Sequence, residues 1–332
     1  MGLDGELSRR TFLASWLASL PLGRAKGSTL AGLDPVSYAL RGFVPTAVFQ
    51  RRYRVDASIL LLGAPIFTRQ AVGGGYASVE ACTDQGTEAS ALQFAGGSSP
   101  ARAHGLNRFG ILREAVVQRR DTTELSFAGL MTRSHEQSLE QGRKALVPSQ
   151  GGAEAVVARG RAVGSASETS VQTWIDSIDL APDRDWSNLN ETLSEVLRRE
   201  PGTAPRQTSQ ASATFLHTMR LAALCPEPLF RREFTHAGKG YWLETRRHPQ
   251  RPLELAGTIH DLAGNRTAEF HTAYSSGDPS GIPIRVDYRP RPFLRLTFEA
   301  ELEATLPPIP SVFQKESASC LQTFICNGRI LR

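Results

Sequence analysis

Two runs of strict alternation, set back to back between residues 282 and 302, leave the chain few architectures to choose from. From Ile282 to Tyr288 the apolar residues fall at even positions (Ile282, Ile284, Val286, Tyr288), with Arg285, Asp287 and Arg289 on the odd ones. After Pro290 and Pro292 the pattern resumes with Leu294, Leu296, Phe298, Ala300 and Leu302 against Arg295, Thr297, Glu299 and Glu301. Successive side chains of a strand point to opposite faces, so the pattern specifies two strands, each with one buried and one wet face. Proline cannot donate to a ladder, and the Pro-Arg-Pro step marks a bend, bulge or edge between them. Burial on one side only belongs to antiparallel sheets.

The same period recurs near the start. Between Gln50 and Leu62, Tyr53, Val55, Ala57, Ile59 and Leu61 alternate with Arg52, Arg54, Asp56 and Ser58, and Gly63-Ala64-Pro65 turns the chain into a partner strand over 66–80. Gly73-Gly74-Gly75 interrupts that partner and implies a bulge or a sharp coil of the sheet. A phosphate-cradling loop would need a helix directly after it, and Tyr76-Ala77-Ser78-Val79 reads as strand. Further strands are expected at 90–95, 110–119, 123–131, 214–224 and 240–247. A hairpin over 253–259 and 267–274 turns at Gly264-Asn265. Helices are expected from Ser134 to about Leu146, and from a cap at Asp185 or Ser187 to about Arg199, with Leu189, Leu193, Val196 and Leu197 on one face. Both periods fit 155–180, where Val171, Trp174, Ile175 and Ile178 have helical spacing and Val171, Thr173 and Ile175 suit a strand.

The sum is roughly ten strands and two short helices: a mainly β (α+β) protein, a curved antiparallel sheet or half-barrel with a few covering helices. The expected organisation is a leader over 1–27, a Gly/Pro/Ala-rich linker or loosely packed lead-in over 28–48, one β-rich domain over 49–304, and a tail over 305–332. The polar stretch 200–212 is either a surface loop or a boundary between two halves of that domain.

At the N-terminus Ser8-Arg9-Arg10-Thr11-Phe12-Leu13 precedes a moderately apolar run from Thr11 to Leu22 and then Gly23-Arg24-Ala25-Lys26. This layout of basic, apolar and small-residue regions is a secretory leader, too short for a permanent membrane anchor. The motif residues Ser8, Arg9, Arg10, Phe12 and Leu13 resemble a twin-arginine translocation signal, although Ala14 stands where many such signals carry lysine and no clean A-x-A follows. The resemblance implies export of an already folded protein to the periplasm or cell envelope of a bacterium or archaeon. The closing strands, in turn, resemble uncharacterised exported β half-barrel families.

Charge and cysteines narrow the partners. The net charge of +5 is spread along the chain, without the Lys/Arg block of a nucleic-acid arm, so no nucleic-acid partner is expected. Arg285, Arg289, Arg291 and Arg295 cluster on the wet side of the closing strands or at their proline bend, where phosphate or carboxylate groups are a fit. Peripheral contact with a membrane stays open. Cys82, Cys225, Cys320 and Cys326 show no C-x-x-C spacing and so no zinc signature. In an exported protein Cys320 and Cys326, which close a short loop, are the candidate disulfide.

Catalytic signatures are missing. There is no G-x-S-x-G elbow, no nucleophilic-cysteine context, and no Walker or dinucleotide fingerprint, and no cofactor is identified. One constellation bears on metal chemistry. A two-residue Gly264-Asn265 turn would set Ala263 opposite Arg266, His260 opposite Glu269 and Thr258 opposite His271. His260, Glu269 and His271 would then share one face as candidate metal ligands. That set defines the alternative expectation, a periplasmic hydrolase or metal-dependent enzyme. The leading expectation is a non-enzymatic envelope protein that binds a lipid or other apolar ligand in its concavity, or a protein partner.

Overall fold

The computed structural model describes residues 34–103, 108–119, 122–132, 153–164, 169–180, 188–199, 206–208, 213–236, 239–302 and 309–313. The elements are α1 (Pro35–Ala39), β1 (Val44–Leu61), β2 (Ala64–Asp84), β3 (Thr87–Ser98), β4 (Phe109–Gln118), β5 (Thr123–Thr132), β6 (Ala153–Gly164), β7 (Thr169–Leu180), α2 (Leu189–Leu197), β8 (Arg206–Thr208), α3 (Phe215–Leu224), β9 (Leu229–His236), β10 (Lys239–His248), β11 (Arg251–Asp261), β12 (Arg266–Ala273), β13 (Arg285–Arg291) and β14 (Leu294–Ala300). All strands belong to one 14-stranded sheet in the order β8-β7-β6-β5-β4-β3-β2-β1-β14-β13-β12-β11-β10-β9. Every strand pair is antiparallel. Each half is a meander, and the halves meet where β1 pairs with β14, Tyr53 opposite Ala300 and Ile59 opposite Leu294. The fold is therefore the mainly β, antiparallel, unclosed sheet with few helices that the alternation implies.

The sheet curls. Phe298 of β14 packs into one cluster with Leu92 of β3, Val116 of β4 and Leu125 of β5, strands that share no hydrogen bonds with it. Its ring lies 6.0 Å from that of Phe94. Side chains from distant strands meet this way only across a concave face. Curvature is assisted on β2, where a Cβ on Gly73 or Gly75 would fall 2.2 Å from the Gly97 carbonyl oxygen or 2.7 Å from that of Ala95. The glycines thus let β2 press close to β3, while the bulge they signal lies just before them. The register jumps between Val55↔Gly73 and Ala57↔Arg69, and Ala71, at φ 51°, donates its N–H to Asp56 Oδ1 at 2.7 Å.

Helices cover both faces, held by neighbouring residues of β4. On the outer face Arg113, 3% exposed, donates to Asp34 Oδ2 (3.3 Å), to the Asn190 carbonyl (2.8 Å), to Asn190 Oδ1 and to Ser194 Oγ (3.1 Å). It so joins α1 and α2 to the sheet. Arg159 of β6 donates to the Leu197 and Arg199 carbonyls at the C-terminal end of α2. Between these anchors Val36, Leu40, Leu189, Leu193 and Leu197 pack onto Ile111, Leu130 and Val157. On the inner face the next residue, Glu114, receives the start of α3. Its carboxylate accepts from Thr214 Oγ1 (2.5 Å), Leu216 N (2.9 Å) and His217 N (2.8 Å). At the other end of α3, Arg247 of β10 donates to the carbonyls of Ala223 (3.0 Å) and Cys225 (2.6 Å). Carboxyl oxygens at the N-terminus and a guanidinium at the C-terminus match the two ends of the helix dipole, so α3 is clamped inside the curl by one residue from each half of the sheet.

The structure departs from the sequence reading at several places. Residues 214–224, expected as a strand, form α3. Its apolar residues face more than one way, Phe215, Met219 and Ala222 meeting one cluster and Leu216 another, and its polar His217 and Thr218 are buried, so it lacks the wet polar stripe that marks a surface helix. The stretch 28–48 is not a loose lead-in from residue 34 onward: α1, capped by Asp34, buries Val36 completely, and β1 begins at Val44. The expected tail is also partly core, since Ser311 Oγ and Val312 N donate to the fully buried Glu80 and Ile309 and Val312 are buried. The described parts of the ambiguous stretch 155–180 are strands, β6 and β7. The leader, the expected helix over 134–146, and Cys320 and Cys326 lie outside the described residues.

Burial raises the Glu114 carboxyl from 4.5 to about 7, the hydrogen bonds from Thr214, Leu216 and His217 pulling the other way. Between these values the folded protein keeps a proton that the unfolded chain has lost, so this group's support for folding fades as pH rises from about 4.5 to about 7. His217 runs opposite: burial, reinforced by Arg232 and Arg220, lowers it from 6.5 to about 4, so it penalises folding as pH falls through that window. Glu114→Gln, which cannot titrate, is expected to gain about 1–3 kcal/mol on the wild type between pH 4.5 and 7. Urea unfolding at a series of pH values reads this directly. Glu114→Ala, which strands three helix donors, is expected to cost about 2–4 kcal/mol at pH 7.

Candidate functional site

Two regions bring titratable side chains beside a cavity or cleft. The first is the interior, where Glu114, His217 and His236 lie near one end of α3, with burial lowering both histidines. Perturbed groups gathered together mark active sites often enough to be weighed. Here both oxygens of Glu114 are taken up by the helix start, and the cavity it borders, between Leu112, Phe127, Gly129, Thr235 and His236, has a volume of about 20 Å³. That is room for about one water. The cluster holds α3 in place and admits no substrate.

The second region is the outer face of β10–β14, where the chain makes an open cleft of about 420 Å³. Its origin is a step in side-chain size. Ala256, Gly257 and Thr258 on β11 form a low floor. Glu244 and Arg246 rise on the β10 side, and Glu269, His271, Asp287, Arg289 and Arg295 on the other. Ladder pairing sets these in two rows: Glu244, Thr258, Glu269 and Arg289; then Arg246, Ala256, His271, Asp287 and Thr297. The floor is thinned further by Gly257, whose missing Cβ would fall 2.0 Å from the Phe270 ring. The far end of that ring, Cζ and both Cε atoms, occupies the space a side chain at 257 would take.

The charges of the cleft are mutually compensated and mostly wet. Arg246 reaches Glu244 at 3.2 Å, and Glu269 meets Arg266 and, at 4.0 Å, Arg289. Asp287 accepts from Thr297 Oγ1 at 2.7 Å and pairs with Arg285 at 3.1 Å. These partners hold the Asp287 carboxyl below its usual range against the opposing, and largest, effect of burial. Arg295 contributes a buried Nε with no hydrogen-bond partner among the described residues.

Of the residues singled out as metal ligands, Glu269 and His271 line this cleft and His260 does not. The expected register is corrected by two residues: Glu269 stands opposite Thr258, His271 opposite Ala256, and His260 opposite Arg266 past a register shift. The cause lies in the turn. Asp261 accepts from Asn265 through its backbone N–H (2.8 Å) and its side-chain amide (2.9 Å), and the Asp261 N–H donates to the Asn265 carbonyl. This closes a three-residue loop, Leu262-Ala263-Gly264, with Gly264 at φ 86°, where a two-residue turn was expected. His260 Nδ1 lies 3.3 Å from the Gly264 carbonyl oxygen, while His271 Nε2 lies 3.6 Å from Glu254. No group of three or more His, Cys, Asp and Glu residues placed to hold a metal ion occurs among the described residues. The cleft's other walls went unread because Glu244 and Arg246 are far from β12 in sequence, and the size step at Ala256-Gly257-Thr258 matters only once neighbouring strands are known.

No family model and no curated protein matches the sequence. Among solved structures, a beta-barrel-like protein of the domain of unknown function DUF1849 from Brucella abortus is similar at 8% identity, over 76% of this chain and 96% of that one, with a TM-score of 0.35. A likeness this loose carries nothing from that protein to this one.

Because the Phe270 ring fills the space beside Gly257, Gly257→Ala is expected to push the ring off the floor and cost about 1–3 kcal/mol, measured by urea unfolding. His271→Ala, at a half-exposed site, should change stability by less than about 0.5 kcal/mol.

Proposed function

We propose that this chain is an exported protein of the cell envelope that works by binding rather than catalysis, and that its occupant is a protein partner laid across β10–β14. The observation that carries the reading is the cleft itself. Three acidic side chains (Glu244, Glu269, Asp287) and three arginines (Arg246, Arg289, Arg295) surround a trough of small residues. Interspersed charges of both signs suit the polar surface of another protein and give such an interface its register. The Ser8-Arg9-Arg10-Thr11-Phe12-Leu13 motif supports the export part.

An apolar ligand held in the concavity is less well supported, because α3 fills that space. Admitting a lipid there means breaking the contacts of Glu114 and Arg247 with both ends of the helix. The metal-dependent reading needs His260 beside Glu269 and His271, and the β11–β12 register separates them.

The test is recovery of the full-length chain from an exporting bacterial host, with gentle cross-linking, followed by native mass spectrometry and metal analysis. A stoichiometric protein companion is expected, and Thr258→Arg, which fills the trough beside Glu244 and Glu269, should remove it while leaving thermal unfolding unchanged. An added mass matching a lipid would overturn the protein-partner reading in favour of an apolar carrier. A stoichiometric metal lost in His271→Ala would return the enzyme reading.

A further inference from the structure

At one end of the sheet, two adjacent turns carry side chains that a soluble surface does not need. β1 and β2 are joined by Leu62-Gly63, both at positive φ (50° and 84°), the pattern of a type I′ turn. Asn-Gly fills such a turn without strain, whereas leucine is disfavoured in a left-handed conformation. Leu62 is also fully exposed, and Leu61, Ile66 and Phe67 beside it are each more than half exposed. The β13–β14 turn adds Phe293, 55% exposed, whose carbonyl accepts the Leu60 N–H at 2.8 Å, so the two tips are tied together. Phe67, Ile59 and Leu294 follow in one cross-strand row. Neither folding nor solubility accounts for a strained, water-facing leucine surrounded by exposed Phe and Ile.

The charged side chains of residues 57–69 and 288–298 are Arg69, Arg289, Arg291 and Arg295; Arg289 and Arg295 line the cleft beside Glu269 and Asp287, which leaves Arg69 and Arg291 beside the apolar tip. Arg69 pairs with Ala57 and Arg291 with Leu294, placing both within two or three residues of the exposed apolar group. An apolar apex with an arginine collar matches the layers of an anionic bilayer surface: hydrocarbon below, phosphate at the headgroup level. Arginine binds phosphate through a planar fork and can lay its aliphatic stem along the apolar layer.

We propose that the paired tips of β1–β2 and β13–β14 dock this protein on an anionic phospholipid surface, with Leu61, Leu62, Ile66, Phe67 and Phe293 entering the acyl boundary and Arg69 and Arg291 meeting lipid phosphates. The tips lie on a different face from the cleft's trough, and the proposal does not rest on the partner reading.

The test is hydrogen exchange of the full chain with vesicles of phosphatidylglycerol and phosphatidylcholine, against pure phosphatidylcholine. The expected result is slowed exchange confined to residues 61–67 and 291–294 with anionic vesicles only, reversed by raising the salt. Phe67→Ser/Phe293→Ser should lose that protection without a change in thermal unfolding, and Arg69→Glu/Arg291→Glu should lower vesicle partitioning by roughly tenfold or more. Vesicle binding without protection at the tips, as a leader-driven association would give, overturns the proposal, and so does no binding at low salt. Protection that arises without vesicles, together with a dimer in sedimentation equilibrium that Phe67→Ser/Phe293→Ser abolishes, would assign the tips to a second copy of the chain.

Discussion

The structure depends on a carboxylate placed where carboxylates are costly. Glu114 is 1% exposed, and its burial is tolerated because three donors at the start of α3 converge on it. Those donors have no partners within the helix, so each side supplies what the other lacks. Its sequence neighbour Arg113 does the same on the other face, binding α1 and α2. Since adjacent residues of a strand point to opposite faces, one dipeptide of β4 organises both helical layers. Arg247, at the far end of α3, extends the arrangement into the C-terminal meander. The interior helix is thus a strut between two half-sheets whose strands pair with each other, among the described residues, along β1 and β14.

Filling the concavity with a helix has a consequence for recognition. A curved sheet with an empty interior presents an apolar chamber; with α3 in place the apolar side chains are consumed by Phe234, Leu243 and Phe298 packing around it. The surfaces left open are outside: the polar trough over β11 and the ends of the strands. Both outer features are built from side-chain size and sign, set by small residues on β11 and by Arg69 and Arg291 beside the apolar tips.

Alternation made the closing strands, the β1–β2 hairpin and the one-sided burial legible, because period-two patterning is local and survives without knowledge of partners. Leu189, Leu193, Val196 and Leu197 were readable as a buried helix face for the same reason. Three things were hidden. α3 shows no wet polar stripe, since its polar His217 and Thr218 are buried along with its apolar residues. The β11–β12 register turned on Asp261 gripping Asn265, a side-chain choice that competes with the tighter turn Gly264-Asn265 would otherwise make, and two residues of shift separated His260 from Glu269 and His271. The helix-anchoring roles of Arg113, Glu114 and Arg247 look in sequence like ordinary polar positions in strands, and only the helix ends they meet distinguish them.

The pairing of β1 with β14 also orders events in time. Tyr53 leaves the ribosome long before its partner Ala300 exists, and at about 5–20 residues per second the interval is on the order of tens of seconds. Throughout it the N-terminal meander carries an open strand edge, a template for the wrong partner. Contacts so distant in sequence also make for slow closure once they become possible. The last described strand is the one that covers the first, so the β1 edge is covered only after β14 has been synthesised.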